Sequence, residues 1–134
     1  MSKIVSYIHF QPGTCQKAMS FYKEVLGGDL SIQIVKDSPM ATMFPAHLQD
    51  GVLHADLTNG NLTILASELS PADVANQYVT LMLVCDTKVE LFDKFNKLAQ
   101  GGKVDHPVQS FFAGSMGNLT DKFGTQWGVF SDEK

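Results

Sequence analysis

Two histidines and two carboxylates in the first half of the sequence are the residues best suited to hold a metal ion. His9 follows Tyr7 by two positions, and His54 precedes Asp56 by two positions, in strand-like segments. Side chains two apart on a strand point to the same face, so each pair can face a common site. Imidazole and carboxylate groups bind divalent ions, and Glu68 near a strand end could complete the set. The alternative, which we favour, is that His54 and Asp56 form a local hydrogen-bonded pair and that His9 makes a polar contact in a pocket.

The sequence offers little for covalent catalysis. None of its serines lies in the Gly-x-Ser-x-Gly pattern of a nucleophile elbow. Cys15 lies on the apolar stripe of a predicted helix with no base beside it, and Cys85 precedes Asp86, whose charge would raise the pKa of the thiol. We therefore predict no catalytic residue and two reduced thiols.

The same order of elements is predicted twice along the chain, because apolar runs indicate strands and apolar residues three and four apart indicate helices. The first set is a strand at 4–10, a helix with a stripe from Cys15 to Leu26 that Thr14 caps, and strands at 30–35, 52–58 and 62–66. The second set is a strand at 78–84, a helix with a stripe from Leu91 to Ala99 behind the capping box Thr87-x-x-Glu90, and strands at 103–108, 116–120 and 126–130. A long loop at 36–51 lies inside the first set.

A repeat supports this duplication. The segment from Phe21 to Leu30 aligns without a gap with the segment from Phe95 to Val104, an offset of 74 residues. Both segments hold an apolar aromatic, a Gly-Gly stop and the entry to a strand at the same spacing. We therefore predict one α+β domain over 1–134, built from two βαβββ modules at 1–68 and 78–134 with a linker at 69–77.

The bulk composition excludes several classes of protein. The net charge is −4 with scattered lysines, so no basic patch for nucleic acid is present. No apolar run approaches 18 residues, and the amino terminus leads into a strand without a signal-peptide pattern. We expect a cytoplasmic protein with neither nucleic-acid nor membrane partners.

Four stretches resemble the vicinal-oxygen-chelate superfamily, which contains glyoxalases, bleomycin-resistance proteins and extradiol dioxygenases. They are Phe10-x-x-Gly13, AMSFYKEVLGG at 18–28, LHADL at 53–57 and DKFGTQW at 121–127. The last of these is similar to the PhnB-like branch, which is often labelled 3-demethylubiquinone-9 3-methyltransferase. The resemblance implies two βαβββ modules that form a curved mixed sheet around a cavity, and a homodimer.

Metal-dependent members of the superfamily carry ligands on the first, fourth, fifth and eighth strands. Counted from the shared motifs, these positions fall on Tyr7, near Ile64, on Val79 and on Gly128. Three of the four cannot ligate a metal through a side chain, so we predict that the inherited metal site, and with it any cofactor, is absent.

Without the metal site, the resemblance implies a cavity with an aromatic and polar lining. Such a lining suits a planar or apolar small molecule. The residues that we expect to bind this ligand are Tyr7, His9, Gln11, His54, Asp56, Phe111, Phe112, Met116 and Trp127. Phe111, Phe112 and Met116 border a loop ahead of the seventh strand. The leading hypothesis is a metal-independent small-molecule binding protein.

Two other hypotheses remain. One is an enzyme, either a metal-dependent lyase or dioxygenase with shifted ligands or a methyltransferase as the family label has it. The other is a dimeric protein-binding module with a vestigial cavity.

Overall fold

A computed structural model describes residues 3–69 and 79–134. The chain divides into two compact units, Met1–Asp73 and Val74–Lys134. Each unit contains one helix and one four-stranded mixed sheet, so the predicted α+β fold with a repeated βαβββ order is confirmed. The predicted linker lies mostly outside the described residues.

The first unit contains β1, α1, β2, β3 and β4. Its elements are β1 Ser6–His9, α1 Cys15–Leu26, β2 Asp29–Ile34, β3 Val52–Asn59 and β4 Leu62–Ser67. The strand order is β1-β4-β3-β2, with β1 parallel to β4 and the other pairs antiparallel. The predicted loop at 36–51 contains short 3-10 turns, and the Gln49 side-chain amide donates to the carbonyls of Ala41 and Phe44 at 2.8 and 3.0 Å. This segment is therefore hydrogen-bonded to itself.

The second unit repeats the topology. Its elements are β5 Leu81–Val84, α2 Lys88–Ala99, β6 Lys103–Phe111, β7 Gly114–Thr120 and β8 Gln126–Ser131. The strand order is β5-β8-β7-β6, with β5 parallel to β8. At the start of α2 the Thr87 hydroxyl accepts the backbone N–H of Glu90 at 3.1 Å, as the capping box predicts.

Each helix covers one face of its own sheet. In the first sheet, the face that α1 covers carries buried side chains, which are Ala55, Leu57, Ile64 and Ala66. The buried stripe of α1, which includes Met19 and Tyr22, lies over them. In the second sheet the corresponding members are Leu119, Trp127 and Val129, beneath Leu91, Phe95 and Leu98 of α2. Burying each large apolar side chain contributes about 2 kcal/mol, so these two layers hold the units together. We call the other face of each sheet its open face.

The repeated Gly-Gly pair has a steric cause. A Cβ on Gly28 would lie 2.3 Å from the carbonyl oxygen of Thr58, and a Cβ on Gly102 would lie 2.3 Å from that of Thr120. In each unit the chain leaving the helix passes directly against a neighbouring strand. Only glycine fits at that approach, which explains why the pair recurs at the same spacing.

One segment differs from the expected loop. β6 continues to Phe111, which pairs with Gly114, so Phe112 and Ala113 alone form the turn of a tight hairpin. Phe111 is therefore a strand residue, Met116 lies in β7 as predicted, and Phe112 lies at the hairpin tip with 92% of its surface exposed. The predicted strand ended too early, at Val108, because the polar residues Gln109 and Ser110 follow it.

Neither described helix, each of 12 residues, has the length and hydrophobicity needed to span a bilayer.

Candidate functional site

The open face of the first sheet brings together four of the predicted site residues. Tyr7 and His9 alternate with residues that face α1, and the strand pairing places His54 and Asp56 on the same face as Tyr7. The Tyr7 ring centroid lies 5.0 Å from that of His9 and 6.0 Å from that of His54. Tyr7 is 44% exposed. These three rings and the Asp56 carboxylate form what we call the ring cluster.

Gln11, also predicted to line the site, lies beyond the end of β1. Its backbone carbonyl accepts the N–H of Thr14 at 3.0 Å in the turn that leads to α1. Strand alternation therefore does not place its side chain on the open face.

Glu68, the fourth candidate metal ligand, has a different role. The residue is 5% exposed, and its Oε2 accepts the backbone N–H groups of Thr14 at 3.1 Å and Cys15 at 2.9 Å. Its Oε1 accepts the N–H of Val52 at 3.0 Å. A carboxylate is favoured at a helix N-terminus because the first N–H groups of the helix have no partner within the helix. Glu68 thus caps α1, and the Thr14 side chain, which was predicted to do so, makes no capping hydrogen bond.

The remaining candidates do not form a metal site with Glu68. No hydrogen bond or ion pair joins His54 to Asp56 within residues 3–69, so the local pair that we favoured is not formed there. Among the described parts of the chain, no three His, Cys, Asp or Glu side chains lie close enough to hold a metal ion.

The four positions that the resemblance assigns to metal ligands also fail to fit. Tyr7 pairs with Leu65, so Leu65 shares its face, while Ile64 points beneath α1 and is 3% exposed. Val79 offers no ligand atom in its side chain.

Gly128 has no side chain that could ligate a metal, and the flexible end of Met82 lies over it. A Cβ there would lie 2.8 Å from Cε and 3.0 Å from Sδ of Met82, and 3.2 Å from Nδ2 of Asn118. The Met82 thioether thus lies where a carboxylate side chain at 128 would begin.

The open face of the second sheet carries two of the remaining predicted residues, Phe111 and Met116, and Phe112 lies at the adjoining hairpin tip. Phe111 is 41% exposed, and its ring lies 5.5 Å from that of Phe112 at 88° and 6.1 Å from that of Phe130. Met116 pairs with Phe130 and shares its face. This end of the face is therefore apolar and accessible.

Trp127 was predicted to line the cavity, but its side chain faces α2 instead. The residue is 3% exposed, and Nε1 donates to Oδ2 of the buried Asp121 at 2.9 Å. Oδ1 of Asp121 accepts the N–H groups of Phe123 at 2.9 Å and Thr125 at 3.0 Å. The DKFGTQW segment is thus a turn that one carboxylate organises, and its tryptophan belongs to the core.

A polar pocket of 510 Å³ lies at the other end of the second sheet. Its lining comprises Thr80, Lys103, Asp105, His106, Asn118 and Gln126, and it is bordered by Leu119 and Trp127. The side chains of these last two are buried on the helix side, so they border the pocket mainly through their backbones. None of the six lining residues was predicted from the sequence. The strand alternation of β7 and β8 could have placed Asn118 and Gln126 on this face. In β6 the register shifts on both sides of His106, so alternation does not predict the direction of its side chains.

Both thiols are protonated at neutral pH. Burial, with a smaller contribution from the charge of Glu68, raises the pKa of Cys15 to about 12. Burial and the neighbouring Glu90 raise the pKa of Cys85 to about 12. A nucleophilic cysteine requires a lowered pKa, so neither residue is suited to catalysis.

Comparison with known proteins identifies relatives along the whole chain. The model of the family described as 3-demethylubiquinone-9 3-methyltransferase matches residues 2–130. Protein YjdN of Escherichia coli strain K12 is 29% identical over 136 residues, which cover 90% of this chain and 89% of YjdN. The crystal structure of protein PA1353 from Pseudomonas aeruginosa is 35% identical, with a TM-score of 0.87 and full coverage of both chains.

More distant structures define the fold. A PhnB protein from Bacillus cereus is 24% identical with a TM-score of 0.75, and the match covers 97% of this chain and 99% of that one. Glyoxalase and bleomycin-resistance proteins align at identities of 13–14% and a TM-score of 0.62. These likenesses show that the chain has the glyoxalase/bleomycin-resistance fold.

Proposed function

The chain belongs to the 3-demethylubiquinone-9 3-methyltransferase family, also called PhnB-like, and from this premise we propose that it binds a small molecule without a metal ion. The observation that carries the proposal is that Gly128 has no side chain to ligate a metal and lies beneath the flexible end of Met82. Where metal-dependent relatives of this fold place a carboxylate, this chain has a glycine covered by a thioether, whose Cε would lie 2.8 Å from a Cβ there. A thioether is a poor ligand for the hard divalent ions that activate vicinal oxygens.

The open faces have the chemistry of binding rather than of catalysis. The ring cluster presents one phenol and two imidazoles that can stack on a planar molecule or donate hydrogen bonds to it. No described cysteine has a lowered pKa, and Glu68 is committed to capping α1. Binding sites with aromatic walls and a few polar groups are typical of proteins that hold small organic molecules.

The methyltransferase reaction in the family's name has no counterpart in these residues. A nucleotide-like methyl donor is usually held by a Gly-rich turn between a parallel strand and a helix. Here the turn between β1 and α1 has the sequence FQPGT, and that between β5 and α2 has the sequence CDT, so neither provides such a cradle.

We also propose that the protein acts as a homodimer. Several large apolar side chains are strongly exposed outside the ring cluster, among them Phe112 at 92% and Val89 at 81%. Exposed apolar groups of this kind favour association. Light scattering on the purified protein would give a mass of two chains.

The binding proposal is tested by thermal shift with a panel of planar aromatic metabolites, measured with and without a chelator. A ligand present at a hundredfold excess over its Kd stabilises the folded state by about 2.7 kcal/mol, which raises the Tm by about 10 °C. We expect such a shift for at least one compound and no effect of chelator on it. A shift that the chelator abolishes would contradict the proposal.

A pair of variants locates the site. Tyr7→Leu removes the central ring of the cluster and should weaken binding about tenfold, since a stacked ring contributes about 1 kcal/mol or slightly more. Phe92→Leu is the matched control because Phe92 is an exposed aromatic, 47% accessible, on α2. Equal losses in the two variants would show that the ring cluster is not the site.

A further inference from the structure

The open face of the second sheet changes from polar to apolar along its strands. One row across the sheet is Gln126, Thr120 and Lys103, and the next is Met82, Gly128, Asn118 and His106. The third row is Val84, Phe130, Met116 and Gln109. Rows two residues apart are separated by about 6.7 Å, so the change from polar to apolar takes place over about 13 Å. This is the length of a small two-ring molecule.

The polar end has an excess of hydrogen-bond donors. The Asp105 carboxylate is already engaged, because Oδ2 accepts the Thr120 hydroxyl at 2.8 Å and Oδ1 lies 3.6 Å from the Lys103 ammonium. The Lys103 side chain nevertheless remains 76% exposed. A lysine ammonium carries three donor hydrogens, and a single contact at 3.6 Å leaves it able to bind another anion.

Three further side chains supply donors to the same pocket. His106, Asn118 and Gln126 line it, and none of them has a side-chain hydrogen bond to another residue in the described ranges. An amide and an imidazole can each donate to a carboxylate, sulfonate or phosphate oxygen. The pocket therefore offers an anion the exposed Lys103 ammonium, which it would share with Asp105, together with amide and imidazole donors.

The apolar end is suited to an aromatic body. Met82 and Val84 are 50% and 66% exposed, and Phe111 is 41% exposed. The Met82 thioether lies over Gly128, in the row between the two ends. Thioethers and phenyl rings both make favourable contacts with aromatic rings, at ring edges and faces respectively.

We propose that this face binds a planar aromatic molecule that carries one anionic group, with the anion in the pocket at Lys103 and His106 and the aromatic body over Met82, Val84 and Phe130. This ligand site lies on the second sheet and is additional to the ring cluster of the first sheet. The inference rests on the proposed metal-free binding function and adds a chemical class of ligand. It also assigns Lys103 as a residue that determines specificity.

Two fluorescent probes that differ in charge test the inference. Anilinonaphthalene sulfonate has a planar body and one anion, and phenylnaphthylamine has the same body without the anion. Titration of the full chain in chelator-containing buffer should show one site per chain, with the sulfonate bound about tenfold tighter than the neutral probe.

Variants separate the two ends of the face. Lys103→Gln should weaken the sulfonate about tenfold and leave the neutral probe within twofold, and Lys103→Arg should restore most of the loss. Lys97→Gln is the matched control, since Lys97 is 50% exposed and also lies near an aspartate, Asp93, at 3.3 Å. Val84→Ser should weaken both probes several-fold because it removes apolar contact common to both. All four substitutions are at exposed positions, and an unchanged Tm confirms that each variant is folded.

Three results would overturn the inference. Equal affinity for the two probes, or a sulfonate affinity that Lys103→Gln leaves unchanged, would show that the pocket does not select an anion. A change of oligomeric mass in Val84→Ser, with unaltered probe binding, would show that the apolar end is an interface between copies. Each of these leaves metal-free binding intact, whereas binding of either probe only after metal is added would refute the proposed function itself.

Discussion

Replacing Glu68 with alanine should lower the free energy of unfolding of the first unit far more than replacing an exposed surface carboxylate would. The residue lies at the end of β4, is 5% exposed, and accepts three backbone N–H groups. Two of these belong to the first turn of α1 and the third to the start of β3. Glu68→Ala leaves the buried N–H groups of Cys15 and Val52 without this acceptor, while the Thr14 N–H keeps its hydrogen bond to the Gln11 carbonyl at 3.0 Å.

The cost can be worked from these contacts. A hydrogen bond to a charged acceptor contributes about 1.5–3 kcal/mol, so the loss of this acceptor by the two buried donors would cost about 3–6 kcal/mol. Partial relaxation and entry of water reduce this figure, and we expect a loss of about 4 kcal/mol in the free energy of unfolding. That is a large part of the stability of a domain of this size, about 5–15 kcal/mol. Glu68→Gln keeps one acceptor oxygen and should lose about half as much.

Urea unfolding followed by circular dichroism measures the effect. With a slope near 2 kcal/mol per molar, the midpoint should fall by about 2 M for Glu68→Ala. Glu133→Ala is the matched control, because Glu133 is an exposed carboxylate that accepts the N–H of Lys88 at the start of α2 at 2.9 Å. The control should lose less than about 1 kcal/mol. The capping role of Glu68 is refuted if the two variants lose the same stability. It is also refuted if Glu68→Ala is more stable than the parent, which would be expected if Glu68 were a metal ligand without its metal.

Three other predictions concern the core. Trp127→Phe should lower the Tm and leave the affinity for anilinonaphthalene sulfonate within twofold, because the indole faces α2; a tenfold loss of affinity in a folded variant would contradict this placement. Gly102→Ala should cost at least about 2 kcal/mol in urea unfolding, since its Cβ would lie 2.3 Å from the carbonyl oxygen of Thr120; an unchanged midpoint would show that the strand can move aside. Cys15 and Cys85 should resist a disulfide reagent at pH 8 until the protein unfolds, because their pKa values of about 12 leave almost no thiolate. Their reactivity in the folded state should rise steadily with pH toward that value, and rapid modification at pH 8 would contradict it.

Local patterns predicted much of the fold. The stripes of α1 and α2 and the Gly-Gly stops each depend on residues close in sequence, and all appear at or near the expected positions. The DKFGTQW turn was recognised as a family mark, and the structure gives its physical reason in the three hydrogen bonds that Asp121 accepts.

Other features depend on contacts that no local pattern contains. Glu68 caps a helix that begins 53 residues earlier in the chain, so its spacing to Cys15 carries no signal. The polar pocket depends on irregular pairing in β6, where the register shifts on both sides of His106. The direction of Trp127 could have been inferred, because Val129 lies two residues later on the same strand and an apolar pair at that spacing favours the core.

The metal content of the purified protein tests the central claim most directly. Protein prepared without chelators and then exposed in turn to zinc, nickel, manganese and iron would be desalted and analysed by mass spectrometry of the elements. Because Gly128, Leu65 and Val79 offer no ligating side chain, we predict far less than one metal ion per chain and an unchanged Tm after each exposure. One tightly bound ion per chain, with a Tm that rises on loading, would contradict metal-free binding.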